Sequence, residues 1–561
     1  MENKIGASIK KTFAQLVADR QPLEKIWKDA YQYTSPLRGQ YFVSQNTDGI
    51  RGAVSATTDQ SRIFDSTASD AVSLLAASIM SGLTPSASQW FLFRIKGVSF
   101  EDLPYEARVW IESAARTLFE MIHNASNFNA VMLESLEELA ISGQFGLFIN
   151  KEPGEKFIFE LWPLDTLYLQ ENPQTQVIDT VYRLLTLTAS AAEAAFGYDQ
   201  LPQSIRTVLE NSPDSTKKFE FIHCIRPRTK RMPFSRLSRD LPYASIYVER
   251  ASGTVVKESG YNELPVIVPR WTKLPRTAYA VGPVNKALPD IKTLNRVVEM
   301  MLQNAEMAIA GTYVAKADGY LNPNTIKIGA RKVIFAQDPR NIVPLASGGD
   351  FRISFDEITR LQRQIKSVMM ADELEPYAKN YASATEVSAR NQIVRQILAP
   401  IFARLNSEFL EPMLNRCFQL ALRDGSIAPP PEVLANVELV PEYQSSIARA
   451  TRMEEVTAMS QYEQSLGATA QLRQNVLDIY DFDLANIKKA QLLGVPSDVV
   501  KSKDQIRMIR RQQEEAARAQ AEAEAEQQKQ QAALQNPQLL DMAMKVAGGP
   551  DQVRNMIEGQ Q

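Results

Sequence analysis

The sequence predicts an α+β fold, predominantly helical, and three observations carry that prediction. Two segments, 284–309 and 353–372, place apolar residues at a step of about 100° per residue, the spacing of an amphipathic helix. Between 144 and 271 the pattern changes to short runs rich in Val, Ile, Phe and Tyr, separated by Pro, Gly, Asn and Asp. The composition, 44% hydrophobic against 23% charged, is that of an ordinary globular chain. A length of 561 residues suggests about three or four domain-sized units.

The elements follow in order. Ile9, Phe13, Leu16 and Val17 keep helical spacing; Pro22 should interrupt it, and Leu23, Ile26, Trp27 and Ala30 resume it. The stretch TDGIRGAVSATTDQSR (47–62) has little apolar periodicity and reads as a loop. Asp65 or Ser66 can cap a helix through Leu74, Leu75 and Ile79 that stops near Gly82 and Pro85. Helices are expected near 105–123 and 129–142. In the β-rich part, KFIFELW, QVIDTVYRLL, FEFIHCI, ASIYVER, TVVKES and LPVIVPRW read as strands of an antiparallel sheet, with one helix around 189–210.

In 284–309 the stripe is Val284, Leu288, Ile291, Leu294, Val298, Met301, Leu302, Ala305 and Ile309, beside a polar face of Lys292, Arg296, Glu299 and Gln303. A β-like segment punctuated by Gly and Pro, 312–350, leads to the second helix. There Ile358, Leu361, Ile365 and Val368 share one side, and Arg352, Arg360 and Arg363 project from the other. The polar stretch NYASATEVSARNQ (380–392) exits through a capping box, Ser383 with Glu386, and Thr385 is a second possible cap. Val387, Val394, Leu398, Ile401, Leu405 and Phe409 continue as a long helix that Pro400 and Pro412 should kink or divide and Gly425 should stop. More helix is expected at 445–466, 468–480 and 483–493. Residues 503–535 are almost wholly strong helix formers with six basic and six acidic side chains. They lack the apolar seam of a two-stranded coiled coil.

The chemical inventory is sparse. There are two histidines, His123 and His223, and two cysteines, Cys224 and Cys417, with no metal or disulfide spacing. Neighbours on a strand point to opposite faces, so His223 and Cys224 are not expected to share a metal. No phosphate loop, dinucleotide fingerprint, zinc-protease or nucleophile-elbow motif occurs. Asp481 and Asp483 read as solvated carboxylates at a helix start rather than a metal pair. The expectation is therefore no catalytic residues, no metal and no cofactor, with aspartate-only metal chemistry as an alternative. RPRTKRMPFSRLSR (226–239) is densely basic, either an anion patch or a solvated or salt-bridged loop. A net charge of −3 argues against a protein that coats nucleic acid. The first residues, MENKIGASIKKTF, show no signal-peptide pattern, and no run approaches the ~20 apolar residues of a membrane span, so a soluble cytosolic product is expected.

Several stretches between about 20 and 450 resemble portal (head-to-tail connector) proteins of short-tailed, podovirus-type bacteriophages. They are RIFDSTASDAVSLLAASIMSGLTPSASQWFLF (62–93), ESGYNELPVIVPRW (258–271), VGPVNKALPDIKTLN (281–295), and SATEVSARNQ with LAPIFARLNSEFLEPMLNRCFQLALRDGSI (within 383–427). Ser383 stands where such proteins more often have Thr, and IGARKV (328–333) where many have a Pro-Gly turn.

The resemblance implies a portal-type subunit in a cyclic ring. Residues 1–283 would form the wing, 284–311 the first stem helix, 312–350 the clip and 351–373 the second stem helix. A channel (tunnel) loop at 374–384 would precede the long wing helix 385–427. The crown would span 428–500, and 501–561 a C-terminal barrel or flexible extension. Lys379, Asn380 and Tyr381 would line the channel. Arg352, Arg360, Arg363 and Lys366 would face the channel or a neighbouring subunit, and Lys327, Arg331 and Lys332 would lie in the clip. Implied partners are further copies in a dodecamer, double-stranded DNA passing without sequence recognition, a terminase packaging motor, the major capsid protein and scaffold, and tail adaptor proteins, with no membrane. The implied place is one capsid vertex of the virion, after assembly in the host cytoplasm. A virion scaffold protein that passes no DNA is the competing expectation.

Overall fold

A computed structural model describes residues 2–39, 63–98, 100, 103–152, 154–212, 215–228, 237–310, 313–315, 342–344, 351–371, 399–434, 437, 439–443, 446–470, 478–493, 495, 499–501 and 503–535. They divide into two compact units, Met1–Asp102 with Ser113–Ala448, and Leu103–Glu112 with Arg449–Gln561.

The first unit opens on α1 (Glu2–Thr34), a single helix that contains Pro22. Proline removes one main-chain hydrogen bond and crowds the preceding turn. The helix nevertheless runs through because both halves are anchored, Ile9 and Phe13 before Pro22 and Trp27, Ala30 and Tyr31 after it, all buried. Between them the fully buried Arg20 donates to the carbonyls of Leu164 and Asp165, each at 2.8 Å, and to that of Leu167. Then come α2 (Pro36–Gly39), α3 (Thr67–Leu83), β1 (Phe91–Ile95), α4 (Tyr105–His123), which belongs to this unit from Ser113 onward, and α5 (Phe128–Ser142). The Asp65 carboxylate accepts from the Thr67 N–H at 2.9 Å, whereas Ser66 makes no capping bond.

The β-rich part follows as β2 (Gly146–Asn150), β3 (Ile158–Trp162), β4 (Leu167–Glu171), β5 (Ile178–Thr188), α6 (Ala189–Phe196), α7 (Gln203–Asn211), β6 (Lys218–Pro227), β7 (Tyr243–Glu249), β8 (Val255–Tyr261), β9 (Val266–Ile267), β10 (Thr272–Lys273) and β11 (Ala280–Val281). Strands β4 to β8 form a five-stranded antiparallel sheet in sequence order, and β3-β2-β9 a three-stranded one. The one helix expected at 189–210 is two, because Gly197 takes φ +84 and a 3-10 turn, Tyr198–Gln200, follows. Alternation along β6 divides the core. Ile222 and Cys224 pack under Ile9 and Phe13 of α1, while Phe221 joins Ala189, Ala192, Leu201 and Ile205 of the α6–α7 side. His223, on that second face, stacks on Tyr247 and bonds Ser245 at 2.9 Å, so it shares no site with Cys224.

The last elements of this unit are α8 (Pro283–Ala310), β12 (Tyr313–Ala315), β13 (Ile342–Pro344), α9 (Phe351–Val368), α10 (Glu411–Arg423) and β14 (Leu439–Tyr443). Helical residues 399–405 reach α10 through a π-helical turn, Asn406–Leu410. Pro412 explains the wide turn, since it has no N–H for the carbonyl four residues back. Gly425, at φ +76, ends the segment as expected, and Ser426 N–H closes back on the Ala421 carbonyl at 3.0 Å. β14 pairs with β1, so 439–443 are built into this unit.

The second unit contains α11 (Ser446–Ala470) from Arg449 onward, α12 (Phe482–Leu493) and α13 (Lys503–Gln535). Asp481 caps α12 by accepting the Leu484 N–H at 2.9 Å, and Asp483 holds Arg510 in a fork at 2.5 and 2.8 Å. Both carboxylates thus serve a helix start and an ion pair. Nearly every described side chain of α13 is exposed.

Candidate functional site

The helix pair α8 and α9 frames the insertion 312–350 and is where the sequence concentrates its candidate residues. On α8 the buried stripe is Val284, Ala287, Leu288, Ile291, Leu294 and Val298; on α9 it is Ile358, Leu361 and Ile365, with Met369 beyond. The two helices pack on each other, and α8 also meets α1, α3 and α5. Just past the ends of the pair, β12 and β13 run antiparallel with Tyr313 opposite Pro344 and Ala315 opposite Ile342. The insertion therefore leaves and returns through one two-stranded ribbon.

The root of α8 is fixed by a close backbone approach. Gly143, at φ +90, ends α5, and a Cβ there would lie 2.2 Å from the Val281 carbonyl carbon; a Cβ on Gly282 would lie 2.4 Å from the Ala140 oxygen. Only glycine fits both places. Asn285 caps the turn by accepting the Gly282 N–H at 2.9 Å.

Halfway along, two adjacent residues tie both helices. The Phe64 N–H donates to the buried Asn295 side chain at 2.9 Å, and the Asp65 carboxylate accepts from Gln362 at 2.8 Å. Lys292 reaches Asp29 of α1 at 2.5 Å, with the Tyr33 ring 5.9 Å away. Sequence reasoning missed this tie, because a polar partner more than two hundred residues distant leaves no local pattern.

The candidate cations fall as follows. Arg360 is exposed and grips Glu357 of its own helix at 2.6 and 2.8 Å; their mutual hydrogen bonding lowers the Glu357 carboxyl and raises the guanidinium. Arg363 is exposed, with no partner among the described residues, and Lys366 is half-buried. Arg352 lies in the first turn of α9, its side chain outside the described residues. Lys327, Arg331, Lys332, Lys379, Asn380, Tyr381 and the capping box Ser383/Glu386 also lie outside them. In the basic cluster, Arg228 binds Glu258 at 2.8 Å and the Ser259 carbonyl at 3.0 Å, a sheet ion pair rather than a free anion site; 229–236 lie outside the described residues.

The chain that returns after 398 is held by buried charges. Arg270 donates to Glu408 through Nε at 3.0 Å and Nη2 at 2.8 Å, and also to Glu171. Arg404 donates to the Trp271 carbonyl at 3.0 Å, and the buried Arg416 to the Ile149 carbonyl at 3.1 Å. Lys151 and the Gly154 N–H bind Asp424 at 2.7 and 2.8 Å, and hydrogen bonds from Lys151, Ser426 and Gly154 hold its carboxyl well below the ordinary range. At the other end, α9 closes on Met370 in the left-handed region, φ +57.

A cavity of about 230 Å³ lined by Tyr31, Arg38, Glu134, Glu138 and Asp165 is internally matched: Tyr31 donates to Glu138, and Arg38 binds it at 3.0 Å. Burial raises both the Tyr31 hydroxyl and the Glu138 carboxyl. Among the described residues no group of three or more His, Cys, Asp or Glu is placed to hold a metal, and no helix is long and apolar enough to cross a membrane. Cys224 and Cys417 are free, buried thiols, pushed up by burial to about 11 and about 12.

This geometry defines a chain that presents a firmly rooted helix pair and the insertion between its helices. Residues 7–500 match the family model described as bacteriophage head to tail connecting protein, and the chain belongs to that family. It is 25% identical over 568 residues to the "Probable portal protein" of Bordetella phage BPP-1, covering 97% of this chain and 96% of that one. It is 26% identical over 581 residues to the "Portal protein" of Salmonella phage epsilon15, covering 97% and 98%. Among solved structures, the neck of an empty GTA particle aligns over 76% of this chain and 90% of that one at 13% identity. Its TM-score is 0.35.

Proposed function

We infer that the chain is a bacteriophage portal, the head-to-tail connector of the particle, acting as one subunit of a ring. The observation that carries this reading is the family match across 7–500, joined to a helix pair whose insertion is closed at its base by a ribbon. The ring is a dodecamer at one capsid vertex, assembled in the host cytoplasm. Its centre is the path for double-stranded DNA during packaging and ejection. In this reading 1–283 and 385–427 are the wing, 284–311 and 351–373 the stem, 312–350 the clip, 428–500 the crown, and 501–561 a barrel or extension.

Role follows from charge. Lys379 is the only cation in the channel loop 374–384, so each subunit with Asn380 and Tyr381 offers one weak phosphate contact, which the symmetry repeats. Phosphates are alike at every position, so such contacts restrain DNA without reading its sequence. A chain with net charge −3 grips the duplex loosely enough for transport. Arg352, Arg360, Arg363 and Lys366 face the bore or the next subunit, and Lys327, Arg331 and Lys332 face docking proteins at the clip. Those are the terminase, which hydrolyses ATP, and later the tail adaptors; the major capsid protein and scaffold surround the wing. The role is passive rather than enzymatic.

Labelling of assembled particles tests the reading. An antibody against this chain should mark one vertex per head; label spread over many vertices would point to a scaffold protein instead.

A further inference from the structure

Half of the α8/α9 pair carries large apolar side chains in the open. Phe64 and Asp65 are adjacent and bind Asn295 and Gln362, so those two residues mark one height on the antiparallel helices. Seven residues toward the insertion along each helix, about 10 Å, stand Leu302 and Phe355. Two full turns preserve the direction around the axis, so both remain on the flank that 64–65 covers lower down. Leu302 prolongs the buried stripe of α8, yet it is 48% exposed, and Phe355 is 58% exposed. Met300 stands about 3 Å lower and faces the opposite way, half a turn from the stripe, with the exposed Lys286, Thr293 and Arg296. It is 46% exposed.

Single exposed apolar residues need no explanation. Here, though, an apolar pair on one flank and an apolar knob on the opposite flank lie within about 3 Å of one height, less than one helical turn. A rotation without rise brings the knob of one copy to within about 3 Å in height of the apolar pair on the next, within side-chain reach, and zero rise is the condition for a closed ring rather than an open helix. We propose that Met300 of each copy seats against Leu302 and Phe355 of its neighbour, and that this heterologous contact sets the level at which the stems meet. The inference rests on the ring reading above and adds to it the surface and the partner, a second copy of this chain.

The test is cross-linking in the full-length protein carrying Met300→Cys and Phe355→Cys together. The native thiols, Cys224 and Cys417, are buried and should not react with a short bis-maleimide. The two introduced thiols lie on opposite flanks, so a bridge within one chain is excluded. The double variant should give a ladder of covalent multimers ending at the subunit number, and each single variant should stay monomeric on a denaturing gel. Rings visible by electron microscopy without a ladder would overturn this contact and leave the ring reading standing. Absence of rings both in solution and in particles would overturn the ring reading and the contact with it.

Discussion

Replacing Arg270 with Met should loosen the helical segment 399–423. Arg270 is 5% exposed at its side chain and grips Glu408, in the π-turn before α10, through two nitrogens. Its own main-chain N–H also donates to Glu408, at 3.1 Å. Removing one partner of a buried ion pair costs about 3–5 kcal/mol, because the remaining charge stays desolvated. Two features reduce that here. Glu171 keeps Lys273 at 2.8 Å, and the Glu408 side chain is 24% exposed, so water takes over part of the lost interaction. About 2–3 kcal/mol remains, which at 1.4 kcal/mol per tenfold is about a hundredfold in local opening. Hydrogen exchange of the amides from Phe409 to Cys417 reads that opening directly. The double variant Arg270→Met, Glu408→Met should recover to within about tenfold, since an apolar pair replaces the ion pair without leaving a charge behind. Exchange in the single variant within threefold of the native rate, or a double variant as fast as the single, would refute the reasoning.

Three further outcomes are expected. His223 is held neutral by burial, aided by Arg183 and Lys257, down to about 3. The unfolded chain binds a proton there below about 6.5, so stability is full above that pH and drains as pH falls toward about 3. Melting curves should therefore be less steep in pH for His223→Gln over that window; an identical slope would remove His223 as the cause. Gly143→Ala, at φ +90 and against the Val281 backbone, should destabilise by more than about 2 kcal/mol and lower the melting temperature; an unchanged midpoint would contradict the close approach. Deleting 376–382 should leave rings intact by electron microscopy and reduce the fraction of DNA-filled heads; normal genome filling would sink the channel-loop role.

Much of the fold was legible because its signals are periodic. The stripe of α8 as far as Val298, that of α9 from Ile358 to Ile365, the alternation along β6 and the stop at Gly425 are local patterns, and the structure has each of them. Pro22 misled because local chemistry cannot register Arg20 and Trp27 anchoring the helix from either side. Nothing within Phe91–Ile95 announces that its strand partner lies at Leu439–Tyr443. The tie of Asn295 and Gln362 to Phe64 and Asp65 is equally silent, since it depends on polar atoms meeting across the fold. In the candidate site, sequence separated apolar from charged faces on both helices, but it could not tell that Arg360 would be occupied by Glu357.

The central claim is that copies of this chain close around an open channel, and electron microscopy of the purified full-length protein tests it most directly. Closed rings with a hollow centre are the predicted result and would give the subunit number at once. Sheets, filaments or rings plugged at the centre would contradict the account.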